Sequence, residues 1–262
     1  DITNPFFASI TDSLNTLVIE NNFIPVVKII TPETEADILF SLVKEGCQGI
    51  FSFFQNNNDY IIDIYKRLPI PVVFINDKTP MEKSSIVNSD NFYSGYKAAQ
   101  HLLDYGYTSL YFCGLPNRLT NARFQGFLKY IEEKNISFDN SHILPFNIAN
   151  PYQNHMVIKT IKKDTSDRIG VFCFHDLIAE YLYNLCIMNN IKVPQKVGIV
   201  GYDKLDSMMP SNINLTTFSY SFKNIASSAL KLLITSMNTL VYQNSIINEN
   251  TFLSIGKTTS KL

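Results

Sequence analysis

Four stretches of the chain read as apolar runs that close on polar residues. Gly49–Phe54 leads into Gln55, Val72–Ile75 into Asn76 and Asp77, Ile169–Phe174 into His175 and Asp176, and Val197–Tyr202 into Asp203. An apolar run without alternation is the pattern of a strand covered on both faces, as in a parallel sheet. Open sheets of this kind bind ligands beyond the carboxyl ends of their strands. The polar residues that end each run therefore mark where a site is expected.

Between these strands the apolar spacing turns helical. Phe7–Asn21 carries Phe7, Ile10, Leu14, Leu17 and Val18 on one face. Further helices are predicted over Thr34–Glu45, with Thr34 as its cap, and over Tyr60–Leu68. Asn91–Tyr105 is predicted to stop at Gly106, placed as a C-cap glycine. Asn121–Glu133, Tyr152–Lys163, Asp176–Asn189 and roughly Phe222–Tyr242 complete the set. Additional strands are predicted at Phe23–Ile30, Leu110–Cys113, His142–Phe146 and Thr251–Ile255. Repeated βα units argue for doubly wound parallel sheets. There are too many for one sheet, so two subdomains are expected, with a crossing in Gly114–Thr120. A βαβ chain should open on a strand, yet Asp1–Pro5 runs directly into a helix. A preceding strand is therefore expected to have been removed or left unrecorded.

Composition narrows the functional classes. The 262 residues are 45% hydrophobic and 17% charged with a net charge of −1, which supports substantial cores. The basic pairs Lys66-Arg67 and Lys162-Lys163 are read as solvated helix ends. No clustered positive surface of the kind that binds nucleic acid is apparent. Cys47, Cys113, Cys173 and Cys186 form no CxxC pair and suit reduced core thiols of a cytoplasmic protein. No run approaches the ~18 apolar residues of a membrane span, and no signal peptide is seen. There is no GxGxxG after a strand, no P-loop and no GxSxG. The histidines His101, His142, His155 and His175 do not form a metal spacing, so no metal, cofactor or enzymatic role is expected.

A series of short segments resembles the effector-binding core of the lactose/galactose-repressor family of transcription regulators. They are Asp1–Phe7, Val87–Asn91 with Gly95 and His101–Tyr107, Arg123–Phe127, Phe174–Asp176 with Ala179, Val193-Pro194 with Val197–Asp203, and Leu215–Thr217. Each is weak alone, but they follow the family order over most of the chain. The resemblance implies a periplasmic-binding-protein-like α/β fold: two Rossmann-like doubly wound parallel-sheet subdomains joined by three crossovers, with a small ligand in the cleft. It implies crossovers near Gly114–Pro116, Ser219–Ser221 and Asn248–Thr251. The amino-terminal subdomain would comprise 1–115 plus about 222–248, and the carboxy-terminal one 116–221 plus about 249–262. A helix-turn-helix head, carried by full-length members, is absent from this chain.

Candidate ligand-binding residues follow from both readings. Arg123 offers a rigid fork of donors to vicinal hydroxyls or a carboxylate. A cation at a helix start is electrostatically unfavourable, so its placement suggests a purpose beyond solubility. Asp203 can accept from sugar hydroxyls or a purine N–H, or serve as a turn residue. Asn76 and Asp77 offer similar chemistry; one of them should cap the loop, and Asn76 ranks ahead. His175 stands where the family usually has Asn, and imidazole can both donate and accept. Asp176 is read as the N-cap of the following helix. Phe6, Phe7, Phe54 and Tyr220 are candidate stacking faces or core residues. Ile148 falls where many members place an aromatic stacker, and the chain has no Trp, which argues against a Trp-stacked pyranose. Gln55 and Asp90 complete the polar set.

The function expected is ligand sensing and homodimerisation in a bacterial repressor. A sugar or sugar derivative would bind between the subdomains and couple closure to operator affinity through the absent head. The alternative is an extracytoplasmic solute-binding protein of a sugar transporter.

Overall fold

All eight helices expected from the pattern form in the computed structural model, which describes residues 5–53, 58–76, 84–114, 121–147, 150–205, 213–239 and 244–262. The chain opens with α1 (Pro5–Glu20), α2 (Glu35–Lys44), β1 (Ile50–Ser52), α3 (Asp59–Arg67), β2 (Val72–Ile75) and β3 (Ser85–Ser89). It continues through α4 (Asn91–Asp104), β4 (Ser109–Gly114), α5 (Ala122–Glu133), β5 (Ile143–Pro145) and α6 (Pro151–Lys163). Then come β6 (Ile169–Cys173), α7 (Asp176–Met188), β7 (Val197–Tyr202) and β8 (Thr216–Ser219). Last are α8 (Phe222–Thr239), β9 (Ile246–Glu249) and β10 (Phe252–Ser254).

These elements form two units. One comprises Asp1–Ser89 with Ser221–Asn250, the other Asp90–Tyr220 with Thr251–Leu262. In the first, a parallel sheet runs in the order β1-β2-β3-β9. Leu39, Ile61, Ile64, Tyr65 and Leu68 pack with Ile50, Val72, Phe74 and Ile86 to form one core. In the second, the order is β10-β8-β7-β6-β4-β5, parallel except for β10, which pairs antiparallel with β8. The burial of β6 and β7 is complete along their lengths, as continuous apolar runs require.

The chain passes between units after Ser89, Tyr220 and Asn250. Two of these positions match the expected crossovers. The expected crossing near Gly114–Pro116 is corrected: β4 hydrogen-bonds to both β5 and β6, so residues 90–115 belong to the second unit. Counting βα units could not detect this, because α4 and β4 look the same whichever sheet receives them.

Other expectations are adjusted locally. Phe23–Ile30 has strand-like residues but forms no strand. Among the described residues no strand pairs with it, and Ile24, Val26, Val27 and Ile29 are exposed. Thr34 occupies the N-cap position of α2 without capping it; its hydroxyl accepts from the Thr31 N–H instead. Gly106 does close α4, at φ +83°.

A clamp at the amino ends of the second unit's strands involves Arg168. It donates to the carbonyls of Tyr105, Gln195 and Ser260, and its guanidinium lies 4.0 Å from the Tyr107 ring centroid. It shares the fastening of residues 256–262 with Thr258, whose hydroxyl donates to the Ile199 carbonyl at 2.7 Å and accepts from the Thr216 N–H at 2.9 Å.

Candidate functional site

Where β6 and β7 end, the second unit gathers an arginine, two carboxylates and three aromatic rings. Arg123 is the second residue of α5, whose cap Asn121 accepts from the Arg123 N–H at 2.9 Å. Its side chain is 5% exposed, unusually low for an arginine. The guanidinium lies 3.5 Å from the Tyr202 ring centroid and 4.8 Å from that of Phe174. Nε donates to Oδ1 of Asn91 at 2.6 Å, and Nη1 donates to the Phe174 carbonyl at 2.5 Å. Two π faces and two acceptors therefore hold a cation that burial alone would disfavour.

Asp203 follows Tyr202 directly. It adopts φ 109°, and Lys204 follows at φ 57°, a conformation costing roughly 1–3 kcal/mol for side-chain-bearing residues. This turn aims the carboxylate back at Tyr220, whose hydroxyl donates to Oδ1 at 2.8 Å. Burial raises the Asp203 pKa from 3.8 to about 6, against the downward pull of Arg123 and the Tyr220 bond. Burial and the nearby Asp203 charge push the Tyr220 hydroxyl well above its ordinary value.

Of the expected site residues, Arg123, Asp203 and Tyr220 therefore come together. His175 adjoins them, its ring 5.7 Å from that of Phe174. It also corrects a local expectation: His175, not Asp176, is the N-cap of α7, with Nδ1 accepting from the Ile178 N–H at 3.2 Å. An accepting Nδ1 places the proton of a neutral imidazole on Nε2. Asp176 is fully buried, and its carboxylate accepts from the Thr217 hydroxyl at 2.6 Å and the Leu205 N–H at 2.9 Å. Asp90 caps α4, accepting from the Tyr93 N–H at 3.0 Å, which commits one of its oxygens to the helix.

The first unit holds the remaining described candidates. Asn76 ends β2 at φ 59°, a left-handed conformation that asparagine tolerates better than most residues. Phe6 is buried and packs edge-on against Phe7 and Phe53, with Phe222 at 5.8 Å. Phe7 packs edge-on to Phe53 at 5.3 Å and keeps partial exposure. Gln55, Phe54, Asp77 and Ile148 lie outside the described residues. Sequence reading missed Asn91 and Tyr202. The first resembled an ordinary helix start and the second an ordinary strand residue; only the fold brings them to Arg123.

This cluster lies at the strand ends of an almost wholly parallel six-stranded sheet, the position at which open α/β sheets bind ligands. Among the described residues no group of His, Cys, Asp or Glu could hold a metal ion. The family model for the periplasmic binding protein-like domain matches residues 99–259, and the chain belongs to that family. Its curated relatives include the transcriptional regulator MalR of Clostridium butyricum, 27% identical over 91% of this chain and 73% of that protein. The sucrose operon repressor of Pediococcus pentosaceus is 28% identical over 89% of this chain and 71% of its own length. A solved LacI-family transcriptional regulator from Enterococcus faecium, with bound ribose, superposes with a TM-score of 0.84 at 22% identity, covering 100% of this chain and 97% of that one. At that identity the likeness speaks for the fold.

Proposed function

We propose that this chain is the ligand-sensing and dimerisation core of a bacterial transcriptional repressor, and that its effector is a sugar or sugar derivative. The observation that carries the reading is the buried Arg123 guanidinium lying 3.5 Å from the ring of Tyr202, the residue next to Asp203, whose carboxylate its charge attracts. A hydroxyl group both donates and accepts. Vicinal hydroxyls of a sugar can therefore accept from the guanidinium and donate to the carboxylate, while a purely anionic ligand would face Asp203 unpaired. The curated names of the relatives, a sucrose operon repressor among them, support the regulatory reading.

In this reading the effector acts by differential affinity for two states of the regulator, shifting their populations and with them operator affinity. Homodimerisation about a two-fold axis would match a two-fold operator, bound through a helix-turn-helix head. The protein would work in the cytoplasm. Among the described residues no helix is long and apolar enough to cross a membrane.

A thermal-shift screen tests the proposal, using D-ribose, sucrose, other mono- and disaccharides, sugar phosphates and nucleosides on the wild type and Arg123→Ala. A sugar at 100 times its dissociation constant should add about 2.7 kcal/mol of stability, and the gain should vanish in the variant. Stabilisation by nucleosides alone would overturn the sugar assignment. Sedimentation at micromolar concentration tests the dimer; a monomer would remove the two-fold part of the mechanism.

A further inference from the structure

The α4–α5 contact is a reciprocal backbone clasp. A β-carbon on Gly95 would sit 1.8 Å from the carbonyl oxygen of Arg123, and one on Gly126 would sit 1.9 Å from that of Phe92. Each glycine thus faces the carbonyl three residues before the other, and no larger residue fits at either position. The clasp continues along the helices, where the Tyr96 hydroxyl donates to Oε2 of Glu133 at 2.7 Å and the Tyr96 and Tyr130 rings meet edge-on at 4.9 Å.

This close approach sets the first turn of α4 beside the first turn of α5. Asn91 is the first residue of α4, a position whose polar side chains often serve the helix end. Here Asp90 performs the capping. The Asn91 amide oxygen instead receives Nε of Arg123 at 2.6 Å. Nε lies on the side-chain stem, so a bond to it stops rotation about the stem. Nη1 is held by the Phe174 carbonyl and the plane lies over Tyr202. An arginine has five N–H donors; these two bonds use two of them and leave three.

We propose that Asn91 is a positioning residue for effector recognition: it acts through Arg123, fixing the guanidinium so that its remaining donors are presented beside Asp203. The proposal rests on the reading of Arg123 as an effector contact, and its test separates the two. Toward Arg123 the side chain supplies an acceptor, so Asn91→Asp keeps that bond and Asn91→Ala removes it.

The experiment is nitrogen-15 NMR of arginine-labelled protein. The chain has only Arg67, Arg118, Arg123 and Arg168, and Arg123→Lys assigns the signal. In the wild type the Arg123 Nε–H should exchange with water at least tenfold more slowly than that of Arg67, whose side chain is 79% exposed. Asn91→Ala should abolish that protection and Asn91→Asp should retain it. In parallel, D-ribose affinity should fall about tenfold in Asn91→Ala and recover in Asn91→Asp. Protection indifferent to Asn91 overturns the positioning role whatever the sugar arm shows. Binding lost in both variants while Asn91→Asp keeps protection also overturns it, since the amide would then be donating to the sugar itself. Protection that depends on Asn91, with ribose affinity untouched by Arg123→Lys, keeps the lock on the guanidinium and overturns the effector reading.

Discussion

A β-carbon on Gly201 would lie 2.1 Å from Oδ1 of Asp176. The bare glycine in β7 leaves room for a fully buried carboxylate that ties the start of α7 to Thr217 of β8 and to Leu205 beyond β7. Gly201 and Thr217 are partners in the same ladder, so the carboxylate reaches over one strand to grip the next. The same strand end carries Tyr202 and Asp203, and the grip holds the platform under Arg123 in place.

Gly201→Ala should therefore destabilise the protein by roughly 1–3 kcal/mol through overpacking. Asp176→Ala should cost more, because the Leu205 N–H loses its acceptor. In urea unfolding the double variant should cost less than the sum, since removing the carboxylate makes room for the methyl group. Additive losses would show that the two residues do not share the space.

Arg123→Lys keeps the charge but not the planar fork. An ammonium cannot satisfy Asn91, the Phe174 carbonyl and a ligand while lying flat on Tyr202. Affinity for the sugar found in the thermal-shift screen should fall roughly 10- to 100-fold by calorimetry, the range expected for hydrogen bonds to a charged group. An unchanged dissociation constant would mean the guanidinium makes no bond to the effector.

Two buried titratable groups in the second unit oppose each other with pH. Burial raises Asp203 from 3.8 to about 6, so its contribution to stability is fully present below 3.8 and is lost as pH rises through about 6. Burial lowers His101, whose Nε2 meets the Thr259 hydroxyl at 2.9 Å, from 6.5 to about 4. Its contribution is present above 6.5 and is lost as pH falls through about 4. Between these limits the two effects offset. Asp203→Asn should make unfolding stability drop more steeply on acidification, and His101→Gln should make it drop less steeply, as urea titrations across this range would reveal. Sugar affinity should rise as Asp203 ionises near pH 6, and this rise should disappear in Asp203→Asn.

Asn154 lies 2% exposed on α6, and among the described residues neither end of its amide has a hydrogen-bond partner. Burying such a group unpaired costs roughly 1–3 kcal/mol. Asn154→Leu should raise the melting temperature while leaving sugar binding unchanged. A lower melting temperature would indicate that the amide is satisfied in solution.

The helices and the fully covered strands were legible because their apolar spacing is unambiguous: β2, β6 and β7 are buried from end to end. Three strands escaped notice. β3 (SIVNS), β8 (TTFS) and β9 (IINE) are short and mix polar with apolar residues, so only ladder partners distinguish them from loop. Phe23–Ile30 shows the converse, with strand-forming residues but no ladder. In the site, residues at strand ends announced themselves by breaking an apolar run, as Asp203 does. Asn91 could not, since its importance lies in a contact across two helices that the glycines bring together. The choice between His175 and Asp176 as cap was equally hidden: Asp176 is the commoner capping residue, but Thr217 and Leu205 claim it.

The three passages of the chain between units also shape how it is made. Among the described residues each unit takes an edge strand from a stretch that follows the other strands in the chain: β9 borders the first sheet and β10 the second. A ribosome therefore delivers most of both sheets long before either has its final edge. Until β9 and β10 emerge, β3 and β8 present open backbone to whatever is nearby. Arg168, waiting for the carbonyl of Ser260, cannot close its clamp until that residue has emerged. Neither sheet gains this edge until residues 246–254 have emerged, which leaves the growing chain open to strand exchange with its neighbours on the same message.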